Sequence, residues 1–300
     1  MKLLVTGATG LVGSHFVENF ENFNKNIALL TPDHNELDIT KQNTVRHYFD
    51  THKPEMIIHF AAFTDVSSAE KQRNDKKRSC WQTNVEGTLN LIKASKYQPY
   101  FIYISTDGVF SGLKNNPGPY EEDYPTEINP NLLSWYGWTK REAEKIISKK
   151  LKNAAIVRIA NPTRANYEKR LDYVRKILNL FDSGKLYPMF ADQYLTLTYI
   201  DEVTTTLSML LEKKLSGIFH ASSSNVFTPY KLANLLIKKA RGKKGFIKPV
   251  SIENFLRDNL SRYPQYGGLK VEKTQRILGL KFMRWEETIE VLAKQLSVSV

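Results

Sequence analysis

Apolar residues in the first half of the chain fall into short runs separated by segments of helical spacing. Residues 2–6 form an apolar run that ends at a glycine and read as a strand, and residues 11–20 read as the helix after it. The pattern repeats with a strand at 27–30, a helix from Thr40 to about His52 closed by Pro54, and a strand at 56–60. A helix at 83–95, a strand at 100–105, a helix at 134–150 and a strand at 155–159 complete it. Strands alternating with helices predict a Rossmann-type α/β fold, a doubly wound parallel sheet. Between them, residues 111–131 are rich in Gly, Pro, Asn and Glu, and predict a long loop of the kind that serves as a lid. After Asn161-Pro162 the pattern loosens. Helices near 170–182, 201–213, 228–240 and 285–296 surround short strands near 194–200 and 217–221, which suits a smaller C-terminal α/β substrate lobe. The expected division is a dinucleotide-binding domain over 1–160 and a substrate lobe over 161–300, with the segments near 194–200 and 217–221 returning to the first domain.

Composition narrows the class. The 300 residues are 41% hydrophobic and 25% charged, which fits a globular chain with a sizeable core and argues against disorder. No apolar run approaches the roughly 18 to 20 residues of a membrane span. Cys80 stands alone, which rules out an intramolecular disulfide and a cysteine-based zinc site, so a reducing, cytoplasmic location is expected and no metal is. The formal charge of +12 is uneven: residues 1–160 hold 20 basic and 18 acidic side chains, the remainder 23 and 13. The basic half would suit a phosphorylated small molecule, and Arg164, Arg170 and Arg175 are placed to meet one. The cluster Lys238, Lys239, Arg241, Lys243, Lys244 and Lys248 reads as a solvated helix end. Neither nucleic acid nor membrane is expected as a partner.

Chemistry enters at Thr6-Gly7-Ala8-Thr9-Gly10-Leu11-Val12-Gly13, where strand, turn and helix meet with glycines spaced G-x-x-G-x-x-G. A tight turn, a close backbone approach to a pyrophosphate and close helix–strand packing each call for a glycine, and the helix N-terminus attracts the phosphates. Gly7, Thr9, Gly10, Leu11, Val12 and Gly13 are therefore the expected dinucleotide contacts. The second strand ends at Leu30-Thr31-Pro32 without an acid at its tip; Asp33 and Glu36 lie just beyond, with no Arg or Lys beside them. NAD and NADP both stay open, with a lean to NADP.

Tyr136 and Lys140 stand four apart on the helix at 134–150, so both share a face. An ammonium beside a phenol favours the phenolate and lets Tyr136 exchange a proton near neutral pH. Tyr266 and Lys270 repeat the spacing, but in a Gly-Gly turn. Thr106 closes the strand at 100–105, at the end of a parallel strand that faces the ligand crevice.

Together these motifs resemble an extended short-chain dehydrogenase/reductase. With Leu37-Asp38-Ile39-Thr40, Ala61-Ala62-Phe63-Thr64-Asp65-Val66, Ala69-Glu70 and Ser105-Thr106-Asp107-Gly108-Val109-Phe110, the chain is similar to the dTDP-4-dehydrorhamnose reductase branch over nearly its whole length. The resemblance implies a triad of Thr106, Tyr136 and Lys140. Tyr136 would donate a proton to a keto oxygen, Thr106 would hydrogen-bond that oxygen, and Lys140 would hold the nicotinamide ribose. Asp38 and Ile39 would contact the adenine, and Ala61, Ala62 and Thr64 would line the dinucleotide. Val66, Asp107 and Arg164 are expected near the substrate, while Trp135 reads either as a pocket wall or as a dimer-packing residue. The implied activity is NAD(P)H-dependent reduction of a nucleotide-linked 4-keto-6-deoxy sugar, with a homodimer as the expected assembly. Gly108 departs from the branch, which usually carries Tyr there. A nucleotide-sugar epimerase and a non-catalytic regulator, such as the regulatory subunit of methionine adenosyltransferase, share the same framework and stay open as alternatives. A dehydratase would carry Glu after Asp107.

Overall fold

The computed structural model describes residues 1–20, 26–96, 98–245, 247–259 and 263–297. In chain order the first half comprises β1 (Lys2–Thr6), α1 (Leu11–Phe20), β2 (Ala28–Leu30), α2 (Gln42–His52), β3 (Met56–His59), α3 (Val66–Glu70), α4 (Ser79–Trp81), α5 (Thr88–Ala94), β4 (Tyr100–Thr106), α6 (Trp135–Lys150) and β5 (Ala154–Ile159). The second half comprises β6 (Pro162–Thr163), α7 (Tyr173–Asp182), β7 (Met189–Phe190), β8 (Thr198–Tyr199), α8 (Ile200–Lys213), β9 (Gly217–Ala221), α9 (Pro229–Arg241), β10 (Pro249–Val250), α10 (Glu253–Asn259), α11 (Glu272–Leu278) and α12 (Trp285–Ser297).

Two compact units result. The first holds residues 1–109, 125–158 and 204–219; the second holds 110–124, 159–203 and 220–300. In the first, six strands form one sheet in the order β2-β1-β3-β4-β5-β9, with β1 parallel to β2 and β3, and β3 parallel to β4. Leu3, Leu4 and Val5, Met56, Ile57 and Ile58, and Phe101, Ile102 and Tyr103 are buried throughout. Such unbroken apolar runs belong to a sheet covered by helices on both faces. The strand order reverses between β1 and β3, and sheets of this kind bind ligands beyond the carboxyl ends of the strands at that reversal. Register puts Thr6, His59 and Tyr103 in one row across those ends.

The second unit is built on helices. Val174, Ile177 and Leu178 of α7, Leu232 and Leu236 of α9, and Ile289 and Leu292 of α12 share a core with Phe227 and Trp285. Thr228 caps α9 by accepting the Lys231 amide, Pro229 opens it, and Gly242 closes it in the left-handed region. Short parallel pairs, β6 with β8 and β7 with β10, complete the unit.

The division departs from the expected one in two places. Residues 194–200 belong to the second unit, because Thr198 and Tyr199 pair with Pro162 and Thr163; the chain that returns to the first unit is 204–219. The segment 110–124 also belongs to the second unit and is packed down, not held free as a lid. Tyr120 is buried and stacks on Phe110 at 4.1 Å, and the buried Glu122 carboxylate accepts the Thr274 amide at 2.9 Å and hydroxyl at 2.8 Å. Thr274 lies some 150 residues from Glu122 along the chain, beyond the reach of any local pattern.

Candidate active site

The glycine turn has the geometry its spacing predicts. Gly7 has φ +70°, and a Cβ there would stand 2.6 Å from the Ala61 amide nitrogen; a Cβ on Gly13 would meet the Gly7 carbonyl oxygen at 2.3 Å. Gly7 therefore lets β1 turn sharply against the segment after β3, and Gly13 lets α1 pack onto that turn. At Gly10 a Cβ would meet only the Gly7 oxygen, at 3.3 Å. The turn thus presents a bare backbone edge and the first amides of α1, which lack intrahelical partners. These residues fit a dinucleotide pyrophosphate. Thr9 is exposed, and Leu11 and Val12 are half-buried, at the head of that helix.

A buried hydrogen-bond chain ties this turn to the rest of the unit. His59 shares hydrogen bonds with Thr6 Oγ1 at 2.7 Å and Thr88 Oγ1 at 3.0 Å, and Thr88 donates to the Asn84 carbonyl at 2.8 Å. Burial, with the nearby Lys140, pushes the His59 pKa down to about 3, so the ring stays neutral. Asn84 lies in a π-helical turn at Gln82–Gly87, where a regular helix is expected from sequence. Its side chain accepts the Phe63 amide at 2.7 Å and donates to the Phe63 carbonyl at 3.1 Å and Thr139 Oγ1 at 2.9 Å. It thereby pins the Ala61–Ala62–Phe63 segment to α6. Ala61 and Ala62 are half-buried and Thr64 is exposed.

Asp38 follows the β2 crossover. Burial acts to raise its pKa, but the Thr40 hydroxyl and amide and the Lys41 ammonium outweigh that and leave it below the ordinary value. Ile39 packs its side chain into the core, beneath Gly87. In the turn after β2, Asp33 accepts the amides of Asn35 and Glu36, and Glu36 accepts the Asp33 amide. Both acids are thus committed to the turn itself.

Ser134 caps α6 by accepting the Gly137 amide at 3.0 Å. Glu70 of α3 accepts the Trp135 amide at 3.0 Å and pairs with Arg73, which donates to the carbonyls of Pro130 and Leu133. This clamp fixes where α6 begins. Tyr136 is half-buried one turn above Lys140, which is 2% exposed. The Lys140 ammonium donates to the Ile104 carbonyl at 2.7 Å and lies 4.0 Å from the centre of the Tyr103 ring. Burial lowers its pKa to about 7, against the opposing pull of Glu144. Glu144, one turn further along α6, is bound by Arg158 of β5 at 2.7 and 3.0 Å, and the pair is buried.

At the end of β4, Thr106 Oγ1 accepts the Gly108 amide and donates to Asp107 Oδ1, each at 3.1 Å. Burial raises the Asp107 pKa to about 6, although the hydroxyl and two amides favour its charged form. Thr106, Tyr136 and Lys140 thus stand in one unit, on the adjoining ends of β4 and α6, beside the glycine turn. A cavity of about 630 Å³ lined by Lys53, Pro54, Glu55, Gln98, Pro99, Tyr100, Asn153 and Lys214 sits at the opposite, N-terminal ends of β3, β4 and β5, away from this chemistry. Among the described residues, no three His, Cys, Asp or Glu side chains gather as a metal site, and no helix is long and apolar enough to cross a membrane.

A family model described as the RmlD substrate binding domain matches residues 1–298. The chain belongs to this family. It is 27% identical over 300 residues to a dTDP-4-dehydrorhamnose reductase of Aggregatibacter actinomycetemcomitans, covering 96% of this chain and 97% of that protein. It is 28% identical over 310 residues to methionine adenosyltransferase 2 subunit beta of Pongo abelii, covering 96% and 89%. The solved structure of a dTDP-4-dehydrorhamnose reductase from Bacillus anthracis in complex with NADP superposes with a TM-score of 0.83 at 26% identity, covering 97% of this chain and 98% of that one.

Three substrate-side expectations change within this family frame. Trp135 is 2% exposed and stacks on Trp81 at 5.7 Å, so it is a core residue of the first unit and not a pocket wall. Arg175 in the second unit is buried against Asp172 at 2.6 Å and donates to the carbonyls of Tyr167 and Arg170, a structural role. Arg164 is 9% exposed, donates to the Asn166 carbonyl and lies over the Tyr167 ring. Val66 is half-buried at the first position of α3, after the Asp65 cap. Tyr266 and Lys270 lie on irregular chain, with Lys270 paired to Glu121 and Tyr266 stacked on Tyr194.

Proposed function

We propose that this chain reduces the ketone of a nucleotide-linked 4-keto-6-deoxy sugar, using NADPH or NADH. The bound nicotinamide supplies a hydride to the ketone carbon. Tyr136 gives its phenolic proton to the oxygen, so ketone, hydride and proton become a secondary alcohol. Thr106 turns its hydroxyl from Asp107 to that oxygen and shares the developing charge. Lys140 spends one of its three donors on Ile104; the others suit a ribose hydroxyl and the field beside Tyr136. The Gly7–Gly13 turn holds the pyrophosphate, with Asp38, Ile39, Ala61, Ala62 and Thr64 along the dinucleotide. Val66 and Asp107 serve the sugar nucleotide. The observation that carries this reading is the buried, pKa-lowered Lys140 one turn from Tyr136 on a helix clamped beside Thr106. Precursor synthesis of this type belongs in the cytoplasm, and a homodimer is the assembly to check by light scattering.

The test is NADPH and NADH oxidation at 340 nm with a 4-keto-6-deoxy nucleotide sugar made in situ. Substrate-dependent oxidation is expected. Tyr136→Phe should cut kcat by about two orders of magnitude or more while leaving the dinucleotide-induced thermal shift intact. Dinucleotide binding without turnover in the wild-type chain would refute the reductase and favour a regulator.

A further inference from the structure

Gly108 follows Thr106 by two residues, in the 3₁₀ turn Asp107–Val109. Its φ lies outside the left-handed region, so the backbone does not call for glycine. Packing does not call for it either. A Cβ at 108 would make ordinary contacts, 3.4 Å to Thr106 Cγ2, 3.5 Å to Thr106 Oγ1 and 3.7 Å to the Gly137 Cα. The tight approach at this place runs the other way: a Cβ on Gly137 would stand 2.0 Å from the Gly108 carbonyl oxygen. Close packing of α6 on the turn thus fixes glycine at 137 and leaves 108 unconstrained. Glycine in a helical turn carries an entropic cost that alanine would avoid. Residue 108 is half-exposed, and any side chain there would stand against the flank of the Thr106 hydroxyl.

We infer that Gly108 is a specificity-determining position, leaving room beside Thr106 for a substituent on the ring carbon that adjoins the ketone. This rests on the proposed function, in which Thr106 binds the ketone oxygen. The substrate class it selects is a nucleotide-linked 4-keto-6-deoxy sugar with a branch or added group next to the carbonyl. Lost room for one or two methyl groups is worth about 10- to 200-fold in discrimination.

The experiment compares wild type, Gly108→Ala and Gly108→Leu on two substrates, dTDP-4-keto-6-deoxyglucose and the same sugar with an added methyl branch on C3, the hydroxyl-bearing carbon beside the ketone. NADPH oxidation gives kcat and KM; NADPH fluorescence and a melting curve report cofactor binding and fold. On the branched sugar, Gly108→Leu should lose about tenfold or more in kcat/KM, chiefly through KM, and Gly108→Ala an intermediate amount. On the unbranched sugar the same variants should lose at least about threefold less in kcat/KM than on the branched one. Equal losses on both sugars, or none on either, would overturn the inference while leaving the reductase standing. If Gly108→Leu does not fold, the Gly108→Ala ratio between sugars decides alone. Wild-type turnover of neither sugar, with NADPH bound, would overturn the proposed function and this inference with it.

Discussion

Lys140 should cost the protein stability, and the cost should depend on pH in a calculable way. Its pKa falls from 10.5 to about 7 because burial disfavours the ammonium, with Glu144 and Cys80 pulling the other way. At about 1.4 kcal/mol per unit, holding the charged form in the folded protein costs about 5 kcal/mol. The sign follows from proton uptake. Between pH 7 and 10.5 the unfolded chain keeps a proton that the folded chain releases, so stability rises with pH in that window. Below pH 7 both states are charged and the full cost is felt. Lys140→Met removes the charge and leaves the Ile104 carbonyl without its donor, a pH-independent loss of about 1–3 kcal/mol. At pH 6 the variant should therefore exceed wild type by about 2–4 kcal/mol, and at pH 9 the two should agree to about 1 kcal/mol. Urea midpoints of both proteins at the two pH values, without dinucleotide, measure this, since other titrating groups cancel in the difference. A stability gap that does not change with pH would mean that the ammonium keeps its ordinary pKa, and that its surroundings are wetter than the structure describes.

Three further substitutions probe the supports of the site. Gly137→Ala places a Cβ 2.0 Å from the Gly108 oxygen and should shift α6, lowering stability by about 1–3 kcal/mol or more and kcat with it; a melting curve and the oxidation assay read both. Gly13→Ala places a Cβ 2.3 Å from the Gly7 oxygen, and NADPH fluorescence titration should show dinucleotide affinity down about tenfold or more. Glu144→Gln uncouples Arg158, which is 1% exposed, and should cost about 3–5 kcal/mol in urea unfolding. Because Glu144 supports the charged form of Lys140, the same variant should move the alkaline limb of the kcat/KM profile to lower pH.

The site divides into a part written locally and a part written at long range. The glycine turn is legible because a sharp turn, a strand and a helix within thirteen residues leave only glycine at Gly7 and Gly13. The Tyr136–Lys140 pair is legible because helical periodicity and the Ser134 cap place both on one face, and the failure of Tyr266 and Lys270 to form a helix shows that spacing counts only with that context. Asn84, His59 and the Glu70–Arg73 clamp were not legible. Their partners lie 21 to 65 residues away, and no periodicity marks a buried hydrogen bond of that span. Trp135 is not legible either, because an aromatic beside a candidate catalytic position gives no local sign of whether it faces ligand or core; stacking on Trp81 decides it.

The long-range part matters because it carries the charge balance of the site. A charged Lys140 at this depth needs compensation, and its neighbours supply it unequally. The Ile104 carbonyl and the Tyr103 ring attract the ammonium, and Glu144 adds a negative charge that Arg158 largely offsets. His59 avoids adding a second cation by staying neutral, its two ring nitrogens held by Thr6 and Thr88. Lys140 is therefore left near its titration point, where a small change in its surroundings shifts the balance between ammonium and amine. Under the proposed function, a ribose hydroxyl bound beside Lys140 would make such a change, raising the share of ammonium next to Tyr136.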